Sequence, residues 1–283
     1  MDIYKVFLLV LAFALNMTKI YSQQSMDQYK VIFTNPPQHV PTSKTPDAPI
    51  AGNGDIGVTM GGGPDSLRFY IGKNDFWRAY PVYPGGIALP GGLDILFKEL
   101  KDASYYAEQL PGSAEIKATF STKACQVHLS AWVAATANKI IIELRSDKKQ
   151  IAHVRLWTVE GNGAITAHGN SPVTWVSRSF QTTKLLSWPT HIALAMNTEK
   201  DEFILNPGET VRLVITVYTN HDTESWKNKA ISEAIQVTDT FIKQLRWEHQ
   251  TWWTNFWRLS HIDIGDTYLS LIHISEPTRR RGI

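Results

Sequence analysis

The hydrophobic positions between Tyr29 and Asn220 fall in short β-branched and aromatic runs that Gly, Pro, Asn and Asp interrupt. Such runs are typical of strands, and no helical stretch separates consecutive runs, which excludes repeated βαβ units. Turn signals such as Gly85-Gly86 and Asn206-Pro207-Gly208-Glu209 fit hairpins or connections between sheets. The pattern predicts a mainly β fold, a large sandwich, with strands at Lys30–Thr34, Ile56–Met60, Leu67–Ile71, Leu93–Lys98, Glu115–Ser121, Gln126–Val133, Lys139–Leu144, His153–Val159, Thr174–Val176, Ile192–Met196 and Thr210–Tyr218.

The pattern changes after Asp222, where residues 224–260 contain no Gly or Pro and repeat apolar residues at spacings of three and four. This periodicity predicts one long amphipathic helix. Aromatic residues cluster at its C-terminal end, on more than one face: Trp247, Trp252, Trp253, Phe256 and Trp257. Because a helix that is apolar around its circumference is buried on several sides, we expect this end to pack against a further domain and otherwise to leave an apolar patch.

The first 22 residues have the outline of a secretory signal peptide. Their apolar run, Val6 to Leu15, is shorter than the roughly 20 residues that a spanning helix needs. No later stretch is continuously apolar enough to cross a bilayer. We therefore expect a secreted, extracellular protein without a membrane partner, in which the sandwich spans 23–222 and a linker helix spans 223–268.

The last fifteen residues, 269–283, begin LSLIHISEPTR, which resembles the translation of a transposase mosaic-end sequencing adapter. We expect this segment to be an artefact. It carries three Arg against one Glu, and the first 22 residues carry two Lys against one Asp. The net charge of +2 for the whole chain therefore becomes −1 for residues 23–268, where no Lys/Arg cluster remains, so the sequence gives no reason to expect a nucleic-acid partner.

The residue types that most often carry chemistry form no catalytic or cofactor motif in this chain. Cys125 alternates with apolar residues and is expected to be a buried hydrophobe. Gly61-Gly62-Gly63 is followed by a strand pattern and no Lys-Ser/Thr, which excludes a phosphate-binding loop. His249 has no His or carboxylate partner at helical spacing, so we expect neither a metal nor another cofactor.

Residues 49–77, PIAGNGDIGVTMGGGPDSLRFYIGKNDFW, carry a resemblance to a known family. A Gly-Asn-Gly-x-(Leu/Ile)-Gly stretch, here Gly52-Asn53-Gly54-Asp55-Ile56-Gly57, precedes an Asn-(Glu/Asp)-x-x-Trp-type loop. This order is similar to the opening of secreted glycoside hydrolases related to inverting α-L-fucosidases. Segments 114–145 and 249–266 resemble the middle strands and the linker helix of the same proteins. The resemblance implies an N-terminal β-supersandwich, a linker helix and an (α/α)6 barrel that holds the catalytic carboxylic acids.

The loop departs from the common fucosidase form, because Lys73-Asn74-Asp75-Phe76-Trp77 stands where that form has Asn-Glu-Asp-x-x-Trp. The departure indicates a branch with another sugar preference, and relatives that are phosphorylases leave the reaction class open. Amide and carboxylate groups bind sugar hydroxyls, and an aromatic face stacks on a pyranose ring. Asn74, Asp75 and Trp77 are therefore the candidate substrate-binding residues, against the common alternative of a buried Trp beside a capping Asx residue.

These observations together predict the non-catalytic N-terminal domain of a secreted, α-L-fucosidase-like glycoside hydrolase. Five acidic residues of the sandwich are available for acid–base catalysis, but the sequence gives no reason to pair any two of them: Asp55, Asp65, Asp75, Asp94 and Glu115. The expected partners are carbohydrate and a catalytic barrel in the same chain. The alternative is a free-standing carbohydrate-binding or structural extracellular sandwich.

Overall fold

The computed structural model describes residues 26, 28–41, 47–78, 86–182 and 188–260. The predicted signal peptide, 1–22, and the predicted adapter segment, 269–283, lie outside the described residues. The elements are, in chain order, β1 (Val31–Phe33), β2 (Ile50–Gly52), β3 (Ile56–Gly63), β4 (Ser66–Lys73), β5 (Trp77–Arg78), β6 (Gly86–Ile87), β7 (Gly91–Leu96), a 3₁₀ turn (Lys98–Leu100), β8 (Ser104–Leu110), β9 (Glu115–Ser121), β10 (Gln126–Val133), β11 (Lys139–Ser146), β12 (Gln150–Thr158), β13 (Ile165–Gly169), β14 (Trp175–Phe180), β15 (Thr190–Met196), β16 (Glu202–Leu205), β17 (Val211–Thr219), α1 (Trp226–Ile235) and α2 (Asp239–Leu259).

Two antiparallel sheets form a sandwich. The larger sheet has the order β1-β8-β9-β10-β11-β17-β15-β14-β13, and the smaller has the order β16-β12-β7-β4-β3-β2. Alternate residues of each strand face inward, as in β9, where Ile116, Ala118 and Phe120 are buried and Lys117 is exposed. The inward residues of both sheets form one continuous core. The predicted mainly β sandwich is confirmed.

The sequence pattern located the long strands better than the short or polar ones. Strands β9 and β10 have the predicted bounds, and Cys125 lies in the core as predicted. The pattern missed β8, SYYAEQL, because its polar residues obscure the alternation of buried and exposed positions. Pairing with β1 and β9 stabilises this strand despite its polar residues. It also missed β13, an edge strand with no buried residue, which shows little hydrophobic alternation.

The prediction of one long helix after Asp222 is wrong, because the segment forms two helices. Thr238 separates them in an extended conformation, with φ −126° and ψ 161°, and its side chain accepts a hydrogen bond from the Phe241 amide. A threonine followed by Asp239 is a common helix start, since the hydroxyl caps a free N–H group and the carboxylate favours the positive end of the helix dipole. The cap was the sequence signal for the break.

Both helices cover the outer face of the nine-stranded sheet. Ala230 and Ala234 of α1 pack on Ala193 and Ala195, where small side chains allow close approach. Ile242 and Leu245 of α2 pack against three buried residues of the sheet: Trp132, Ile141 and Val214. Among the helices of the described residues, none is both long and apolar enough to cross a membrane.

The aromatic end of α2, which we expected to pack against a further domain or to leave an apolar patch, is partly covered and partly exposed. Trp257 is buried against Met26 and Tyr29, and its indole N–H donates to the Pro111 carbonyl at 2.9 Å. Trp253 is half-buried beside it. Four apolar side chains of α2 remain exposed: Trp247, Trp252, Phe256 and Leu259.

A buried carboxylate ties three strands of the smaller sheet together. Asp94 of β7 stands between Arg68 of β4 and Arg155 of β12 in the strand register. It accepts two hydrogen bonds from Arg68, at 2.7 and 2.9 Å, and one from Arg155, at 2.9 Å. Burial raises the pKa of Asp94, but the two guanidinium groups outweigh this effect and hold the pKa below its ordinary value.

Asp94→Asn should make the unfolding free energy less dependent on pH in acid. A lowered pKa contributes stability above the ordinary value of 3.8, and that stability is lost as pH falls through the folded pKa. At neutral pH we expect Asp94→Asn to lower the unfolding free energy by about 1–2 kcal/mol. The loss is modest because both arginines are partly exposed and screened. Urea unfolding between pH 2 and 7 measures this, with exposed Asp102→Asn as control. An unchanged acid slope in Asp94→Asn would contradict the prediction.

Candidate functional site

The predicted sugar-binding loop lies at the end of β4 and is held at both ends by backbone hydrogen bonds. The Asn74 amide donates to the Asp55 carbonyl at 2.8 Å, and the Phe76 amide donates to the Lys73 carbonyl at 3.2 Å. Phe76 is fully buried and stacks on Phe180 with ring centroids 5.7 Å apart. The buried phenyl ring anchors the loop in the core, while Trp77 beside it remains exposed.

Asp75 takes part in the internal structure of the protein. One of its carboxylate oxygens accepts hydrogen bonds from the Thr219 hydroxyl at 2.8 Å and from the Lys73 ammonium at 3.3 Å. The other oxygen is buried without a partner among the described residues. These contacts join the loop to the end of β17, so the geometry favours a positioning role for Asp75.

Lys73 lies at the centre of the contacts that hold the loop in place. Its side chain is 1% exposed, and its ammonium contacts three carboxylates: Asp55 at 2.7 and 2.9 Å, Asp75 at 3.3 Å and Asp222 at 3.4 Å. Burial lowers the pKa of Lys73, but the hydrogen bond to Asp55 and the charges of Asp222 and Asp75 outweigh it and raise the pKa above its usual value. One cation therefore holds three separate chain segments together.

Asn74 and Trp77 keep functional groups at the surface. The Asn74 side chain donates to the Gly54 carbonyl at 3.2 Å, and its amide oxygen makes no hydrogen bond with a described residue. Trp77 is 49% exposed, which rejects the alternative of a buried tryptophan, and its indole N–H donates to the Asn74 carbonyl. The hydrogen bond fixes the ring while the side chain remains half exposed.

A cleft of about 730 Å³ lies beside the loop, between strands β2, β3 and β4 of the smaller sheet, the β8–β9 turn of the larger sheet and the end of α2. Asn74 lines it, whereas Asp75 and Trp77 do not. Gly57 and Gly72 are paired across β3 and β4, and a Cβ atom added at either would meet nothing within 4 Å, so the missing side chains leave the cleft open. Further lining comes from residues that the sequence analysis had not singled out, among them Val40, Tyr70 and Gln109, and from Trp253 and Trp257 of α2.

The Gly52-Asn53-Gly54-Asp55 turn joins β2 to β3, and its Gly and Asn residues are typical of turns. The Asn53 oxygen accepts hydrogen bonds from the Asp55 and Ile56 amides at 3.0 and 2.8 Å, and its amide group donates to the Ala134 carbonyl at 2.8 Å. Gly54 has a φ of +90°, a conformation that glycine adopts readily. The motif therefore builds the rim of the cleft and docks it on the larger sheet.

Four carboxyl groups of the described residues lack the property that a glycosidase acid needs. A glycosidase needs a carboxylic acid with a raised pKa, but the pKa is lowered in each of the carboxyl groups where a shift is resolved: Asp47, Asp94, Glu108 and Glu233. His249 is buried, and its Nε2 lies 2.7 Å from the Ser113 carbonyl oxygen, so it is a packed residue. No group of three metal-ligating side chains occurs in the described ranges.

No protein-family model matches the chain, and the search of curated proteins finds no match. Thirty-nine chains of solved structures do match. A candidate kojibiose phosphorylase from the human microbiome is 11% identical over 82% of this chain, with a TM-score of 0.50, and a bacterial glucoamylase complexed with acarbose is 10% identical over 80%, with a TM-score of 0.42. This chain spans only 38% and 40% of their lengths. The likeness to the first of these structures, at 11% identity, shows a shared fold and no more.

Lys73→Met should strongly destabilise the protein, because three carboxylates would then face one another without a cation. We expect a loss of about 3 kcal/mol, which lowers Tm by about 6–12 °C. Since the pKa of Lys73 is raised, the difference from wild type should persist below pH 10.5 and shrink as pH rises through the folded pKa.

Differential scanning calorimetry between pH 7 and 11 measures this effect. Lys98→Met is the matched control, because Lys98 is exposed on the 3₁₀ turn and should change Tm by no more than about 2 °C. Equal Tm values for the two variants would show that the Lys73 cluster does not hold the loop.

Proposed function

We propose that the chain is the non-catalytic sandwich domain of a secreted glycoside hydrolase that resembles the inverting α-L-fucosidases. The observation that carries the proposal is the fold match, which covers 82% of this chain but only 38% of a candidate kojibiose phosphorylase. The sequence motif at 52–57 supports the fucosidase-like branch.

The exposed aromatic surface of α2 supports a catalytic barrel as the partner in the same chain. Trp252 and Phe256 stack at 5.3 Å and are each 38% exposed, and Trp247 and Leu259 are 59% and 77% exposed. Clustered large apolar side chains at the surface are typical of an interaction site. The linker helix in this proposal therefore uses one face for the sandwich and another for the barrel.

The proposed sugar contacts are Asn74 and Trp77, with Asp75 holding their loop in position. The free amide oxygen of Asn74 accepts a hydrogen bond from a sugar hydroxyl, and the exposed ring of Trp77 stacks on the C–H face of a pyranose. In the complete enzyme this loop would border the sugar site from the sandwich side. Secretion rests on the signal-peptide pattern in residues 1–22.

The alternative function is a free-standing carbohydrate-binding or structural extracellular module. The cleft beside Asn74 favours sugar binding over a purely structural role, because it is open and has the size of a ligand site. A catalytic partner distinguishes the enzyme domain from a free-standing module. Sequencing the source transcript beyond the codon for Tyr268 decides this point: a continuation into a helical barrel with paired carboxylates supports the enzyme, and an immediate stop codon contradicts it.

Trp77→Ala should weaken binding of a fucosylated oligosaccharide by about ten-fold, since it removes a stacking surface. Isothermal titration of the full chain with 2′-fucosyllactose measures this. Trp188→Ala is the matched control, because Trp188 is 50% exposed and does not belong to the loop. An equal loss in both variants would contradict a sugar site at Trp77, and no binding by the wild type would favour the structural module.

The same preparation should not hydrolyse 4-nitrophenyl α-L-fucoside above background, because the proposal places the catalytic acids outside the sandwich. Product formation at 405 nm, monitored over hours, provides the measurement. Hydrolytic activity that copurifies with the chain would contradict the non-catalytic assignment.

A further inference from the structure

A polar groove crosses the outer face of the nine-stranded sheet beside α2. Its volume is about 440 Å³, within the range of ligand sites, and Arg246 of α2 lines it. Strand pairing places its floor residues in two rows. The first row is Glu108, Lys117, Ser130, Glu143 and Arg212, and the second is Tyr106, Thr119, His128 and Arg145. The first row crosses five strands and therefore extends for about 19 Å.

The carboxylates of the groove already have cationic partners within the protein. Glu143 accepts hydrogen bonds from Arg212 at 2.9 Å and from Arg246 at 2.6 Å. Glu115 pairs with Arg246 at 3.0 Å and accepts a hydrogen bond from the Ser130 hydroxyl. These contacts neutralise both carboxylates and fix Arg246 at the edge of the groove.

Glu108, at the other end of the first row, is also engaged. Lys30 and the Tyr106 hydroxyl each donate to it at 2.7 Å, and these two hydrogen bonds hold its pKa below the ordinary value. The acidic side chains of the groove therefore leave little negative charge to repel an anionic ligand.

Hydrogen-bond donors, in contrast, remain available along the second row and at Lys117 of the first row. Arg145 is exposed and makes no hydrogen bond or ion pair with any described residue. His128 contacts the Thr119 hydroxyl through Nδ1 at 3.1 Å, and its Nε2 has no partner in the described ranges. The Lys117 side chain is 55% exposed, with its ammonium 3.8 Å from Glu115.

We infer that this groove binds an oligosaccharide that carries a carboxylate, such as a chain of uronic acids. Arg145 presents a planar guanidinium that matches a carboxylate in two parallel hydrogen bonds, and Lys117 adds a second positive charge. Thr119 and His128 supply groups suited to sugar hydroxyls. The first row, at about 19 Å, is longer than an inorganic anion, which favours an extended ligand. The choice of a saccharide rests on the proposed function.

The test titrates the full chain with trigalacturonic acid by isothermal calorimetry at low salt. We expect saturable binding that weakens as salt is added, because exposed charges are screened. Arg145→Gln should weaken binding about ten-fold or more, since it removes a charge-assisted, two-point contact. Arg258→Gln is the matched control, because Arg258 is exposed at the end of α2 and does not line the groove. It should leave the affinity within about two-fold.

Two further titrants separate the possible ligands. The fully methyl-esterified trimer has the same size without charge, and sodium sulfate has charge without a sugar, so both should bind at least ten-fold more weakly than trigalacturonic acid. Equal binding of the ester overturns the role of the carboxylate, and equal binding of sulfate overturns the assignment to a saccharide. Equal losses in Arg145→Gln and Arg258→Gln also overturn the inference.

Failure of the groove to bind an acidic oligosaccharide can be distinguished from failure of the proposed function. Absence of binding by trigalacturonic acid, with Trp77-dependent binding of 2′-fucosyllactose retained, rejects the acidic groove and leaves the sandwich domain as a sugar-binding unit. Absence of binding by both oligosaccharides rejects sugar recognition at both places.

Discussion

The burial of the Lys73 ammonium among Asp55, Asp75 and Asp222 is the interaction on which the candidate sugar loop depends. An unpaired buried charge costs several kcal/mol, so the three carboxylates and the lysine hold one another in place. They come from the turn before β3, the turn after β4 and the segment before α1. Because these segments are distant in sequence, the cluster joins the smaller sheet to the end of the larger sheet, and Asn74 and Trp77 are positioned as a consequence.

The inner faces of the two sheets are filled by one apolar core, so a ligand has to bind on the outer surface of the sandwich. The smaller sheet presents a cleft where Gly57 and Gly72 leave space, and the larger sheet presents rows of charged and polar side chains. The first surface suits a neutral sugar ring or an apolar partner, whereas the second suits hydroxyls and carboxylates. The same strand alternation that builds the core produces both surfaces.

Helix α2 is held on the sandwich by polar and aromatic contacts as well as by apolar packing. Arg246 binds Glu115 and Glu143, and His249 packs on Trp132 with ring centroids 4.8 Å apart. Burial lowers the pKa of His249, so the imidazole remains neutral at physiological pH while Nε2 faces the Ser113 carbonyl. These polar contacts fix the rotation of the helix, which decides that Trp257 is buried and Trp252 is exposed.

The sequence by itself determined the mainly β class, most of the long strands and the position of the helical segment, because these follow from local hydrophobic periodicity. It also indicated the loop at 74–77, because the residues that favour a loop act over a few positions. The sequence marks the helix break with Thr238, a residue that caps helices. The absence of Gly and Pro nevertheless led to the prediction of one helix. Only the tertiary structure showed that Asp75 is a support while Trp77 is exposed, since this depends on Lys73 and Thr219. The two polar rows likewise arise only when strand register brings distant residues side by side, and register depends on the packing of the whole sheet.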